Sequence, residues 1–127
     1  LNNNSNIMQS NIISIRPFIG AKDFDISRKF YTDFGFAETI LSAELSVFTL
    51  RNISFYLQKA YVKDWIDNTM IFVQVANVVE FHQEISSLEI TIKYPSTRVS
   101  NIKHDTWGDE FFVHDPSGIL WHFGQFH

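Results

Sequence analysis

One pattern occurs twice along this chain and constrains its fold more than any other feature. An apolar strand-like run is followed by a helix-like run and then by short strand-like runs, three in the first copy and four in the second. Ile12-Ile13-Ser14-Ile15-Arg16-Pro17-Phe18-Ile19 opens the first copy. Ser27, Phe30, Tyr31 and Phe34 then recur at helical spacing, with Asp23 or Asp25 able to cap that helix and Gly35 to stop it. Strands are predicted over Phe36–Leu41, Leu45–Leu50 and Ile53–Gln58, the last two joined by a turn at Arg51-Asn52. The second copy opens on Met70-Ile71-Phe72-Val73-Gln74-Val75 and places Val78, Phe81, His82, Ile85 and Leu88 on one helix face. Strands follow at Ile90–Lys93, Val99–His104, Asp109–His114 and Ile119–Phe126, with Asp115-Pro116-Ser117-Gly118 as a turn between the last two. Residue identity between the copies is weak, so the repeat is one of pattern. It predicts an α+β domain of two βαβββ modules, about 11–59 and 69–127.

A length of 127 residues suits one such domain. Hydrophobic residues make up 45% of the chain and aromatic residues 16%, enough for a packed core. The 13 Phe can fill that core or wall a site for a planar ligand, and composition does not separate these uses. A formal charge of −4 argues against nucleic acid held by phosphate neutralisation. It tolerates a cationic small molecule, as mildly acidic proteins generally do. There is no Cys, which excludes disulfides, thiolate metal sites and Cys nucleophiles and is compatible with a cytoplasmic setting. No apolar run approaches the ~20 residues that cross a bilayer. Residues 1–10 begin Leu1-Asn2-Asn3-Asn4-Ser5-Asn6, lack the pattern of a secretory signal, and read as a flexible tail.

No glycine pattern that cradles phosphate is present, and no nucleophile elbow. Ser, His and acidic residues occur, but sequence does not bring them within hydrogen-bonding reach, so no catalytic residue is assigned. The possible metal ligands are His82, His104, His114, His122, His127 and several acids. His82 falls on the buried face of its helix. His114 and His122 fall on adjacent strands, but two His without a third ligand make a poor catalytic metal site. Trp65, Trp107 and Trp121 flank strands, where they can pack at a strand end, make a dimer contact or stack on a ligand. Glu44 lies in a hairpin, where it is solvated or touches a bound cation.

Several blocks taken together resemble the bleomycin-resistance branch of the vicinal oxygen chelate superfamily, which also holds glyoxalases and extradiol dioxygenases. They are Pro17 to Asp25, Phe30-Tyr31-Thr32-Asp33-Phe34-Gly35-Phe36, Asp67-Asn68-Thr69, and Trp107-Gly108-Asp109-Glu110-Phe111-Phe112-Val113-His114-Asp115-Pro116-Ser117-Gly118, running on to Trp121-His122-Phe123. The resemblance covers about residues 12 to 126 in order. It implies a curved mixed sheet, a homodimer in which the first strand is often exchanged, and clefts to which both subunits contribute. Pro17 matches a proline that follows the exchanging arm.

Metal-dependent relatives carry one ligand on each of four strands, and the matching positions here are Arg16, Tyr56, Met70 and His122. Only His122 is a ligand type, and Arg16 puts a fixed positive charge where a cation would sit. The resemblance therefore implies no metal and no cofactor, and removes the Lewis acid on which the enzymes of the group depend. It points to a metal-free protein of the antibiotic-resistance kind, which sequesters a flat ligand, cationic in some cases, without altering it. Trp107 matches a cleft tryptophan of such binders, and His122 opens a similar His-Phe pair. Their stacking aromatics in the second and third strands are replaced by Ile40 and Leu45, so Phe48, Phe55 or Trp65 would supply rings instead. Trp107, His122, Trp65, Phe48, Phe55 and Glu44 are the expected ligand-binding residues. The rival expectation is a divergent glyoxalase- or dioxygenase-type lyase or oxidoreductase, or a metal-free enzyme with His122 as general base. A cleft filled by side chains, with function at the surface, is a third.

Overall fold

The computed structural model describes Ile7 and residues 9–127. Most of the tail expected over residues 1–10 lies outside these; its described members Ile7, Gln9 and Ser10 are helical. The first module comprises β1 (Phe18–Gly20), α1 (Phe24–Phe34), β2 (Ala37–Ser42), β3 (Leu45–Leu50) and β4 (Ile53–Gln58). A short helix, α2 (Lys63–Asp67), leads to the second module. That module comprises β5 (Met70–Gln74), α3 (Val78–Ser87), α4 (Ile90–Lys93), β6 (Arg98–Val99), β7 (Lys103–His104), β8 (Gly108–His114) and β9 (Leu120–Phe126).

Each module builds its own sheet, and the two sheets share one topology. The strand order is β1-β4-β3-β2 in the first and β5-β9-β8 in the second, with β6 and β7 both pairing with β8. In each sheet the module's first strand runs parallel to its last, while the other pairs are antiparallel. A parallel pair needs a long crossover, and the helix with its following strands supplies it. The repeat read from apolar periodicity is thus a repeat of chain path.

The helix signals act where expected. Asp23 Oδ1 accepts a hydrogen bond from the Ile26 amide at 3.1 Å, and Gly35, at φ 121°, closes α1 in a conformation that side chains rarely adopt. Ser27, Phe30, Tyr31 and Phe34 all face inward. Asn77 caps α3 in the same way through the Glu80 amide.

Three expectations need correction. Residues 12–17 form no strand, because β4 meets the incoming chain only from Tyr56 onward and Pro17 has no N–H to give. Only the Pro17 carbonyl is engaged, by the Tyr56 amide at 2.9 Å. Ile90–Lys93 alternates like a strand but forms a helical turn, entered through Glu89 in a left-handed conformation (φ 55°) and anchored by buried Ile90. Val99–His104 is not one strand. Val99 pairs with Val113 and Lys103 with Glu110, so one extra residue bulges out and splits the run into β6 and β7.

The core is largely aromatic, with Phe30, Tyr31, Phe48, Phe55 and Phe111 fully buried. Through it runs one polar chain. The Trp121 indole N–H donates to the Tyr31 hydroxyl at 2.9 Å, and that hydroxyl donates to Asp115 Oδ2 at 2.6 Å. Asp115 Oδ1 accepts from the amides of Ser117, Gly118 and Ile119, each at 2.9 Å. Burial pushes the Asp115 carboxyl up, against the pull of its hydrogen bonds, and burial with the neighbouring carboxylate pushes the Tyr31 phenol well above its ordinary range. Among the described residues no helix is long and apolar enough to cross a membrane.

Removing the Tyr31 hydroxyl would strand both the Asp115 carboxyl oxygen and the Trp121 N–H in the interior. Tyr31→Phe is expected to lower the unfolding free energy by about 1–3 kcal/mol in urea titration. An unchanged midpoint would show that the chain does not tie the modules.

Candidate functional site

Among the described residues α1 packs on β2 and β4 and α3 on β8 and β9, and the face of each sheet turned away from them is open. Which residues line that open face follows from strand alternation and register. In the second sheet Trp121, Phe123, Phe111 and Val113 point into the core. The alternate positions therefore share the open face. Phe72 is opposite His122, His122 is opposite Phe112, and Glu110 is opposite Gly124.

The centre of this face is a carboxylate–imidazole pair. His122 Nδ1 lies 2.9 Å from Glu110 Oε1, and both side chains are mostly buried. A carboxylate only accepts, so this contact places a proton on Nδ1. His122 Nε2 is buried and has no hydrogen-bond partner among the described residues. Rings surround the pair. Phe112 meets the imidazole edge-on at 4.8 Å between centroids, and Phe72 lies 6.4 Å away. Phe72 also contacts Trp107 (5.9 Å) and Phe126 (5.9 Å), which touch each other at 5.2 Å.

Gly124 makes this arrangement possible. A Cβ there would sit 2.6 Å from the Phe72 ring and 3.1 Å from the Trp107 ring. With no side chain on β9 at that point, both rings can lie over the strand. Toward β6, His114 faces Arg98. Burial first, and then the positive charge of Arg98, hold the His114 imidazole below its ordinary range.

The open face of the first sheet carries a second aromatic feature. Phe18 and Tyr56 stack at 4.4 Å with a 14° tilt, and the Arg16 guanidinium lies 5.9 Å from the Tyr56 ring centre. Between the sheets a cleft of about 520 Å³ opens at the seam, lined by Ile13, Ile15, Phe55, Phe72, Val73 and Trp121 among others. A groove of about 450 Å³ on the helix side, by Arg28, Asp33, Glu38 and Tyr94, is far more polar in its side chains.

Of the residues singled out from sequence, the structure brings Trp107 and His122 onto one face, bridged by Phe72. Phe55 is in the core, with its ring exposed only to the seam cleft. Phe48 is wholly buried against Phe55 and Tyr31. Trp65 stands 69% exposed on α2, and Glu44 is exposed in the β2–β3 turn; neither joins the aromatic face. Sequence reasoning missed Phe72, Phe112, Phe126 and Glu110. The turn at Asp115–Gly118 carried a usable signal for two of them, because it sets the β8–β9 register and so places Glu110 and Phe112 beside His122.

A divalent metal can be tested against these side chains. Of the four matching positions, Arg16 and Tyr56 form a cation–π contact, Met70 is an exposed thioether, and His122 shares its Nδ1 proton with Glu110. Among the described residues no three His, Asp or Glu are grouped to hold an ion. This donor set does not fit a four-coordinate site for a hard or borderline cation.

No protein-family model matches the chain, and no curated protein matches it in sequence. Solved structures do match it in shape. A bleomycin-binding protein from Streptomyces verticillus, complexed with copper(II)-bleomycin, aligns with a TM-score of 0.77 at 19% identity over 92% of this chain and 98% of that one. The bleomycin resistance determinant of transposon Tn5 aligns at 0.74 and 19% identity over 90% and 98%. A lactoylglutathione lyase from Agrobacterium tumefaciens aligns at 0.66 and 18% identity over 91% and 95%. The chain therefore has the glyoxalase/bleomycin-resistance fold.

Gly124→Ala is expected to displace the Phe72 and Trp107 rings, altering the near-ultraviolet circular dichroism while the thermal midpoint moves little, since Phe72 is 45% exposed. An unaltered near-ultraviolet spectrum would mean that the rings do not depend on the bare strand.

Proposed function

We propose that this protein binds a flat small molecule, cationic in some cases, and sequesters it without chemistry and without a metal. The observation that carries the reading is the open face of the second sheet. Phe72, Trp107, Phe112 and Phe126 gather there around one half-hidden polar pair, Glu110 and His122. Apolar walls with a few placed polar groups are what a site for a planar ligand needs. Trp107 is the stacking wall and His122 the polar contact, while Glu110 supplies the negative charge that a cationic ligand would meet. Trp65 and Glu44 are at most rim residues, and Phe48 and Phe55 support the site from beneath.

The fold is shared with a bleomycin-binding protein and a bleomycin resistance determinant, which supports a binding reading, and it is shared with a lactoylglutathione lyase as well. A homodimer is part of the proposal, with the second subunit closing the face. Ile13 and Ile15, each 94% exposed, favour it, since a bare Ile-rich segment ahead of β1 needs a partner surface. A cytoplasmic location is also proposed. The second reading is an enzyme with His122 as general base, favoured by the Glu110–His122 contact, which holds an imidazole in one tautomer.

Two measurements test the proposal. In a thermal-shift screen of planar cationic drugs beginning with bleomycin, wild-type protein is expected to be stabilised by at least one. Trp107→Ala is expected to weaken that binding by about tenfold, near 1.4 kcal/mol, with the oligomeric state unchanged. Unchanged affinity would remove Trp107 from the site. Elemental analysis of protein purified without added metal is expected to find no stoichiometric Zn, Ni, Mn or Fe. One equivalent per chain would overturn the metal-free reading and favour the enzyme.

A further inference from the structure

The aromatic face holds one buried polar atom without a hydrogen-bond partner among the described residues. His122 Nε2 is buried and lacks a hydrogen-bond partner among the described residues, while Nδ1 is committed to Glu110 at 2.9 Å. Because the Nδ1 proton is held by a carboxylate, the imidazole in its neutral form presents a lone pair at Nε2. An acceptor left dry and unpaired in an interior is unfavourable, and native structures rarely keep one without a use. Among the described residues no group donates to it. Phe72 and Phe112 are the rings in contact with the imidazole, and Gly124 is the residue beside Glu110 across the strand pair.

We propose that His122 selects the ligand by accepting a hydrogen bond at Nε2, so that the preferred class is a planar aromatic molecule with an O–H or N–H donor in its ring plane. This rests on the binding reading above and adds direction to it: the site asks for a donor. Glu110 is the positioning residue, since it fixes which nitrogen carries the proton. A ligand reaches Nε2 by moving a covering ring, and Phe72 is the one with freedom to move. It is 45% exposed and stands on β5, the edge strand of its sheet. A ring stacked against Trp107 then projects an in-plane hydroxyl or ring N–H toward the imidazole. An analogue of the same shape without that proton leaves the acceptor unpaired, and discrimination arises from that loss.

The test compares 2-naphthol with 2-methoxynaphthalene by calorimetric titration of the full chain. The two probes share a flat bicyclic ring and differ in the donor. Wild-type protein is expected to bind 2-naphthol about tenfold more tightly. In His122→Phe, which keeps a ring in place, that ratio is expected to fall below about twofold with the affinity for the methoxy compound retained. In Glu110→Gln the ratio is also expected to shrink, because the tautomer is no longer fixed. Equal wild-type affinities for the two probes would overturn the selector while leaving the aromatic cleft standing, and this comparison needs no variant to fold. A preference that persists in His122→Phe would also overturn it. Failure of both probes to bind would overturn the selector and the binding reading together.

Discussion

The buried chain from Trp121 through Tyr31 to Asp115 is the interaction on which the rest of this structure depends. It joins α1 of the first module to the β8–β9 turn and to β9 of the second. Each member lies in the interior, so each must be paired, and the pairing admits one relative placement of the modules. Asp115 does more than receive the phenol. Its other oxygen gathers three successive amides and shapes the turn that sets the β8–β9 register. That register in turn brings Glu110, Phe112, His122 and Gly124 onto one face. A single buried carboxylate thus organises both the junction of the modules and the alignment of the candidate site.

The two faces of the second sheet divide the work. The covered face is packed with Phe111, Val113, Trp121 and Phe123 and supplies stability. The open face departs from what stability alone would select. It carries a large ring, Phe72, on an edge strand, a glycine in the middle of β9, and an imidazole nitrogen without a partner among the described residues. A strand glycine surrenders packing, and a buried orphan acceptor surrenders a hydrogen bond. Local concessions of this kind gather at binding sites, which is why the face, and not the more polar groove beside α1, is the reading preferred here.

Much of the fold was legible because two periods dominate the chain. Phe30, Tyr31 and Phe34 mark α1, and its ends are written by Asp23 and Gly35, whose local chemistry admits few alternatives. The repeat survived weak residue identity because topology depends on where apolar residues recur. What failed were segments decided by tertiary context. Ile90–Lys93 carries strand-like residues but is wound by burial of Ile90, and the arm before Pro17 finds no strand to pair with in its own chain. Of the candidate face, part was legible. Trp107 and His122 stood out as residue types. Phe72 did not, because Met70 to Val75 is nearly continuous in apolar character, and such a run does not say which face is covered by helix. Glu110 became visible only through cross-strand register.

Ligand binding is proposed on the open aromatic face of the second sheet. Amide chemical-shift mapping of the full chain, titrated with the planar drug that stabilises it most, tests this directly. The largest changes are expected to cluster at Phe72, Trp107, Glu110, Phe112, His122 and Phe126. Changes centred instead on the groove between Arg28, Asp33 and Tyr94 would contradict it.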